Sequence, residues 1–206
     1  MTVSVEIEIQ SLQSVRDFAA ALRFEPLGTV RCAGAPLFRT RLARDLACLL
    51  DVDPDVRSWT CLPVLLHHGA QTHVPDFQVV REHGATFLDA VDPAKARRAS
   101  WIDDAAMRIG SRREVVLEAE IRSGPRLANA RDLLRYAKWR CPLGDRVRLL
   151  AALDEIGSMT VAECMQAFQE TSPIAGLSSL ILHRFVEIDL DDRRIGPETS
   201  VQRCRD

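Results

Sequence analysis

The sequence has little lysine, and its cysteines are not spaced in close pairs. These two shortages limit the classes of protein to which the chain can belong. Lysine occurs only at positions 95 and 138, so arginine supplies almost all of the 27 basic side chains. Arginine suits phosphate recognition, but we attribute the bias itself to a GC-rich coding sequence. The six cysteines are scattered without a C-x-x-C pair, which argues against a zinc cluster and against a disulfide framework.

Long apolar runs and the glycine loops of nucleotide-binding enzymes are also missing. No run is long enough to span a bilayer, and the first residues, MTVSVEIEIQ, are too charged for a signal peptide. There is neither a phosphate-binding glycine loop nor a G-x-S-x-G elbow. We therefore expect a reduced, cytoplasmic protein that is neither membrane-embedded nor built on those two catalytic motifs.

Charge is distributed unevenly along the chain. The net charge is only -2, yet residues 93–150 carry 14 basic and 7 acidic side chains, and the segments on both sides are acidic. A basic stripe of this kind is typical of a nucleic-acid surface, although cations three to four residues apart are equally typical of a solvated helix face. The candidate DNA contacts are Arg97, Arg98, Arg112, Arg113, Arg131, Arg135 and Lys138.

The apolar pattern predicts a mixed α/β core. RTRLARDLACLL has the leucine spacing of a helix, which DVDPDV ends. RSWTCLPVLL and HVPDFQVV are expected to form a hairpin joined by HHGAQT, with ATFLDAV as the next strand. A helix over AKARRASWIDDAAMRIG, a strand over REVVLEAEI and a helix over ANARDLLRYAKW complete the pattern.

After residue 141 the sequence predicts a small helical module. DRVRLLAALDEIG, TVAECMQAF and SPIAGLSSLILHRF predict three short helices, and the second has a capping box formed by Thr160 and Glu163. VEIDLDDRRI predicts a terminal hairpin, so the module is winged-helix-like. Because its third helix is mostly apolar and its charge is acidic, we expect the module to dock a protein or complete the core rather than to read a DNA groove.

The order of helix, hairpin, strand, helix resembles the PD-(D/E)xK nuclease core, and in detail the sequence resembles the TnsA-type endonuclease subunits of heteromeric transposases. LARDLACLLDVDPDV is similar to that family's helix and turn, CLPVLLHHGAQTHVPDFQVV to its H-x-PDF strands, and EVVLEAEIRSGPRLANARDLLRYA to the closing strand and helix. RFVEIDLDDRRIGPETSV resembles the family's later region. The resemblance implies a nuclease-fold domain over residues 1–141, with its core at about 36–141, and the winged-helix-like module over 142–206.

The same resemblance implies a subunit that nicks DNA at a transposon end with Mg²⁺ or Mn²⁺, together with a DDE-type transposase. Asp76 matches the metal-binding aspartate of the PDF motif. The family's helical glutamate falls at Ala43. The best alignment of the next strand puts Ala90 at its second polar position and Asp92 at its lysine.

A shifted register makes Asp89 the second acid and metal ligand, but Val91 then stands at the lysine position, and Lys95 is the nearest lysine. Two carboxylates are few ligands for Mg²⁺, and Asp92 would add negative charge where such charge must be stabilised. We therefore expect a degenerate nuclease that still binds DNA beside a transposase-type or recombination partner. Two alternatives stay open: a divergent active endonuclease using Asp76, Asp89 and Lys95, and a protein-interaction scaffold without a DNA role.

We expect structural roles for the histidines near Asp76 and for one tryptophan. His73 is expected to hydrogen-bond across the strand end beside Asp76, and His67 and His68 to lie in a solvated turn. Trp59 is expected to pack in the core.

Overall fold

The computed structural model describes the backbone of residues 2–95 and 100–204 and the side chains of residues 10–94 and 100–204. The chain is a mixed α/β protein that separates into two compact units. The first comprises Met1–Glu25 and Arg31–Arg122, and the second comprises Pro26–Val30 and Ser123–Asp206.

The first unit contains four helices and six strands within the described residues. In chain order these are α1 (Thr2–Ala20), α2 (Arg41–Val52), β1 (Ser58–Cys61), β2 (Leu66–His68), β3 (Gln71–His73), β4 (Phe77–Arg81), β5 (Gly84–Val91), α3 (Ser100–Arg108), β6 (Arg112–Leu117) and α4 (Glu118–Ile121). A single 3-10 turn, Pro93–Lys95, follows β5.

The main sheet of this unit has the order β1-β4-β5-β6. β4 pairs antiparallel with β1 and with β5, whereas β5 and β6 run parallel. Parallel neighbours need a crossover connection, and α3 lies in that connection. The predicted hairpin and third strand are therefore confirmed.

The hairpin differs from the prediction in one respect, because its two long strands are interrupted. β2 and β3, which follow β1 and precede β4 in the chain, form a separate two-stranded sheet. The break after β1 has a local cause: Leu62 adopts a left-handed conformation, with φ of 48°, and Pro63 has no N–H for a ladder. The N–H of Leu62 still donates to the carbonyl of Asp76 at 3.0 Å, so the pairing with the segment before β4 ends at this residue.

The core of the first unit lies between α2 and the sheet. Trp59 and Phe77 are fully buried and meet edge to face with their ring centroids 5.5 Å apart. Trp59 Nε1 donates to Asp51 Oδ1 at 3.1 Å, so the buried indole N–H is satisfied. Thr40 caps α2, since its Oγ1 accepts from the N–H of Ala43 at 3.0 Å.

Three further elements of the first unit differ from the prediction. α1 was not predicted, and Arg16 on it donates to the carbonyl of Leu62 at 2.9 Å. The expected helix over residues 94–110 corresponds to the 3-10 turn and α3, and residues 96–99 lie outside the described part. The expected strand over residues 113–121 ends at Leu117, where the Glu120 carboxylate accepts the Leu117 N–H at 3.0 Å and α4 begins.

The second unit is helical with a small sheet. Its helices and strands within the described residues are α5 (Arg126–Leu134), α6 (Leu143–Ile156), β7 (Ser158–Thr160), α7 (Val161–Cys164), α8 (Pro173–Leu182), β8 (Val186–Ile188) and β9 (Ser200–Arg203). A 3-10 turn, Met165–Ala167, follows α7. The strands form an antiparallel sheet in the order β7-β9-β8. Leu149, Leu153, Leu177, Leu180 and Val201 are among the residues of its buried core.

The predicted capping box of α7 is confirmed. Thr160 Oγ1 accepts from the N–H of Glu163 at 3.2 Å, and the Glu163 carboxylate accepts from the N–H of Thr160 at 2.7 Å. These two bonds satisfy donors that a helix start leaves without intrahelical partners.

The division between the units lies after Arg122, whereas we expected a boundary after residue 141. The reason is that α5 belongs to the second unit. The buried side chain of Asn129 donates to the carbonyls of Leu190 and Arg193 at 2.9 and 2.8 Å and accepts from the N–H of Ile195 at 3.0 Å. Within the described residues no helix has the length and apolar character needed to cross a bilayer.

Candidate functional site, a buried pair of aspartates

Two aspartates lie side by side where β4 begins and β5 approaches its end. Phe77 is paired with Leu88 in the register of these strands, which brings Asp76 beside Asp89. The N–H of Asp76 donates to Asp89 Oδ1 at 3.1 Å, and the N–H of Ala90 donates to Asp76 Oδ2 at 3.0 Å. Both acids are buried, with 7% and 3% of their surface exposed. Each carboxylate therefore holds the other residue's strand.

Arg39, in the segment before α2, binds the first aspartate. Its Nη2 and Nε lie 2.6 and 3.2 Å from Asp76 Oδ1. The same Nη2 donates to the carbonyl of Val74 at 2.8 Å. The Arg39 side chain is 28% exposed, so the guanidinium group covers the acid from the solvent side.

Arg113, on β6, binds the second aspartate. Its Nε donates to Asp89 Oδ2 at 2.6 Å, and its Nη1 lies 3.1 Å from Asp103 Oδ1. His73, at the end of β3, places Nε2 2.8 Å from the same oxygen of Asp89. The Arg113 side chain is 10% exposed. The second acid is therefore held by two nitrogen-bearing side chains and is itself buried.

The surroundings move the pKa values of the two carboxyls in opposite directions. Burial raises the pKa of Asp76 and the nearby charge of Asp89 adds to this rise, while Arg39 offsets only part of it. Burial also acts to raise the pKa of Asp89, but the hydrogen bond and charge of His73, together with Arg113, outweigh it and lower that pKa. Asp89 is thus the acid that the fold keeps ionised.

This donor set does not fit a Mg²⁺ or Mn²⁺ ion. Each carboxylate oxygen already accepts a hydrogen bond from the protein. Two guanidinium charges balance the two carboxylate charges of the pair, which leaves little negative potential for a dication that prefers several oxygen ligands. Among the residues described, no group of three or more histidine, cysteine, aspartate or glutamate side chains is arranged to hold a metal.

The other positions that the resemblance assigned to catalysis have different roles in the structure. Ala43 is buried in the first turn of α2, and Ala90 contributes its N–H to Asp76. Asp92 caps the 3-10 turn, because its Oδ1 accepts from the N–H of Ala94 at 3.0 Å. Of the two alignments considered for this strand, the shifted one matches the geometry. Asp89 lies beside Asp76, and Val91 follows two residues after Asp89. The side chain of Lys95 lies outside the described residues.

The predicted DNA contacts are divided between the two units. Arg112 is exposed on β6, whereas the neighbouring Arg113 turns inward to Asp89 and does not lie on an exposed basic surface. Arg131 is half-buried on α5. Arg135 and Lys138 are exposed but lie beyond the end of that helix, in the turns after Leu134. Arg97 and Arg98 lie outside the described residues.

The sequence indicated part of this site and missed the rest. His73 was expected to hydrogen-bond across the strand end, and it does so with Asp89. Arg39 was missed, because it lies 37 residues from its partner in a segment without periodicity. Arg113 was assigned to DNA because its place in a basic segment gave no sign of a buried partner.

We compared the chain with protein-family models and with curated proteins, and neither comparison gives a match. The likeness to TnsA-type subunits therefore remains a prediction that rests on the motifs quoted above.

Proposed function

We propose that the protein is a TnsA-like, nuclease-fold subunit that binds DNA with a transposase-type or recombination partner and has little or no cleavage activity of its own. The observation that carries this proposal is the acid pair, in which Asp76 and Asp89 meet at the strand ends but bind Arg39 and Arg113.

The topology supports the nuclease-like part of the proposal. A helix, an antiparallel pair, a third strand, a crossover helix and a parallel fourth strand are present in this order. The resemblance implies the same order for a PD-(D/E)xK core, with its first acid where Asp76 lies. In the second unit, α6, β7, α7, α8, β8 and β9 follow one another as in a winged helix.

The charge balance of the acid pair supports the loss of cleavage. Metal-dependent phosphodiester cleavage uses a bound dication to activate water and to stabilise developing negative charge. Here arginines occupy the carboxylates, and the strand position two residues after Asp89 is Val91, which offers no ammonium group. In this arrangement both carboxylates are already bound by arginines, and the strand position at which the family has its lysine holds valine.

Metal binding and nicking test the proposal directly. Calorimetry with MnCl₂ should give no binding at the acid pair, and supercoiled plasmid with Mg²⁺ or Mn²⁺ should stay intact. Nicking that disappears in a folded Asp76→Asn variant would contradict the proposal and favour the divergent endonuclease. Lys95→Ala would then decide whether that lysine takes part.

Removing the arginine provides a sharper test of why metal is excluded. Arg39→Ala uncovers Asp76 Oδ1 without touching either acid, so this variant should bind Mn²⁺ more tightly than the wild type. Arg57→Ala is the matched control, because Arg57 forms an exposed pair with Glu82 at 3.8 Å in the same unit. If Arg39→Ala binds Mn²⁺ no better than Arg57→Ala, the arginine is not what excludes the metal.

DNA binding is tested separately by its dependence on salt. Fluorescence anisotropy with a duplex should show affinity that falls steeply as the salt concentration rises. Lys138→Ala and Arg135→Ala should each reduce the slope by about 1. Arg193→Ala is the control, since Arg193 is exposed beside Asp192 in an acidic segment. Absence of salt-dependent binding would favour the scaffold without a DNA role.

A further inference from the structure

Within the part of the chain that the structure describes, the outer edge of β6 has no strand partner. β6 is the last strand of the main sheet, and no described strand pairs with its far side. The opposite edge of the sheet is different, because Cys32 forms a bridge with Trp59 beside β1. An open edge presents unpaired N–H and C=O groups that can accept another strand.

The outward backbone groups of β6 belong to alternate residues. The Leu117 N–H binds the Glu120 carboxylate and not β5, so it faces the open side. In a parallel pair, alternate residues direct their backbone groups to the same edge. Arg113 and Val115 therefore also present their N–H and C=O groups outward, while Leu117 is already capped.

Two apolar side chains of this strand are exposed beside its charged ones. Val115 and Leu117 are 41% and 36% exposed. Edge strands are normally protected by charges, prolines or bulges, and an exposed apolar group of this kind is typical of an interface.

The charges on β6 are self-complementary. Arg112 and Glu114 are both exposed, lie two residues apart on one face of the strand, and form no ion pair with the residues described. If two copies of β6 pair antiparallel about a two-fold axis at Arg113, Arg112 of each copy lies opposite Glu114 of the other. Such a symmetric interface uses the same patch twice.

Other registers that keep the outward groups paired are less favourable. An axis at Glu114 would set the two Glu114 side chains against each other, which destabilises a cross-strand pair. An axis at Val115 would set Glu114 opposite Val116 and so lose the pairing of Arg112 with Glu114. The axis at Arg113 sets the two Arg113 residues opposite each other, but each side chain turns inward and is only 10% exposed. It also sets Val115 opposite Ser111, whose N–H is bound to the Ala106 carbonyl, so the Val115 N–H donates there without a return bond.

We propose that β6 is a homodimer interface, in which it pairs antiparallel with β6 of a second copy of this chain, centred on Arg113. The interface joins the main sheets of the two copies and covers part of this edge. This inference does not depend on DNA binding or on the state of the acid pair.

Sedimentation of the full chain over a wide concentration range tests the interface. The wild type should show a reversible monomer–dimer equilibrium. Val115→Pro removes an outward donor without removing a bond to β5, so this variant should be monomeric with an unchanged circular dichroism spectrum. A wild type that stays monomeric throughout, or a Val115→Pro variant that dimerises normally, would overturn the proposal.

Charge exchange tests the register independently of Val115. Arg112→Glu and Glu114→Arg each place like charges opposite one another and should raise the dimer Kd by about tenfold or more. The double variant R112E/E114R restores opposite charges and should restore dimerisation. Arg57→Glu, at an exposed site elsewhere in the unit, should leave the equilibrium unchanged. Single and double variants with equal Kd values would rule out this register.

Discussion

Asp89→Asn tests whether the acid pair holds the first unit together. Asp89 Oδ2 accepts from Arg113 Nε at 2.6 Å and lies 2.8 Å from His73 Nε2. An asparagine offers a single oxygen, and the N–H of Asp76 already binds the Oδ1 position. Its amide group would then face the Arg113 donor, and the guanidinium group would lose its buried counter-charge.

The expected loss in the free energy of unfolding follows from the burial of the ion pair between Asp89 and Arg113. Removing one partner of a buried ion pair costs about 3–5 kcal/mol, because the other charge is left uncompensated. Arg113 is 10% exposed and keeps its contact with Asp103, so the lower end applies. We expect the free energy of unfolding of the first unit to fall by about 3 kcal/mol at neutral pH.

The effect should depend on pH in a defined direction. Burial opposes ionisation of Asp89, but His73 and Arg113 together lower its pKa in the folded protein. A lowered folded pKa stabilises the protein above the unfolded value and loses this contribution as the pH falls through the folded value. The difference between wild type and Asp89→Asn should therefore be full at neutral pH and shrink in acid.

Urea unfolding at neutral and acidic pH, followed by circular dichroism and by hydrogen exchange of β5 amides, measures the difference. Asp103→Asn is the matched control, because Asp103 binds the same arginine but its side chain is 54% exposed. This control should change the free energy of unfolding by less than about 0.5 kcal/mol. A similarly small change in Asp89→Asn would refute the reasoning.

Substitutions at three positions test contacts of the second unit. Asp145→Ala should cost about 2 kcal/mol and speed hydrogen exchange at residues 169–171, whose N–H groups bind this buried carboxylate; unchanged exchange would contradict this. Thr160→Ala should cost about 1 kcal/mol by removing the cap of α7, and Thr160→Ser should retain most of the stability in the same urea titration. Gly28→Val should lower the melting temperature, because a Cβ there would lie 2.6 Å from Ala137 Cβ; an unchanged melting temperature would show that the segment moves aside.

Local sequence patterns predicted the elements whose cause is local. The capping box of Thr160 and Glu163 and the order of the strands around Asp76 depend on neighbouring residues, and the structure contains both. The interruption after β1 was missed because it depends on the left-handed Leu62. The two compact units divide after Arg122 because Asn129 on α5 bonds to residues more than 60 positions away.

The residues of the candidate site also fall into those that the sequence indicated and those that it did not. The family resemblance offered Asp89 as the second acid only in a shifted alignment, since its best alignment placed Ala90 there, and the pairing of β4 with β5 brings Asp89 beside Asp76. No spacing rule links Arg39 to Asp76 or Arg113 to Asp89, since these contacts arise from the packing of separate elements. A basic segment reveals how many cations it holds, but not which of them turn inward.

The acid pair has a structural use that is complete without catalysis. The Asp89 carboxylate binds the N–H of Asp76, the Asp76 carboxylate binds the N–H of Ala90, and the two charges anchor the segment before α2 and the edge strand β6. Substituting Asp76 can therefore abolish an activity merely by disturbing β4 and β5, so loss of nicking in such a variant is informative only if the fold is intact. Arg39→Ala separates the two explanations, because it leaves both acids and their backbone bonds in place while exposing the oxygen that a metal would need.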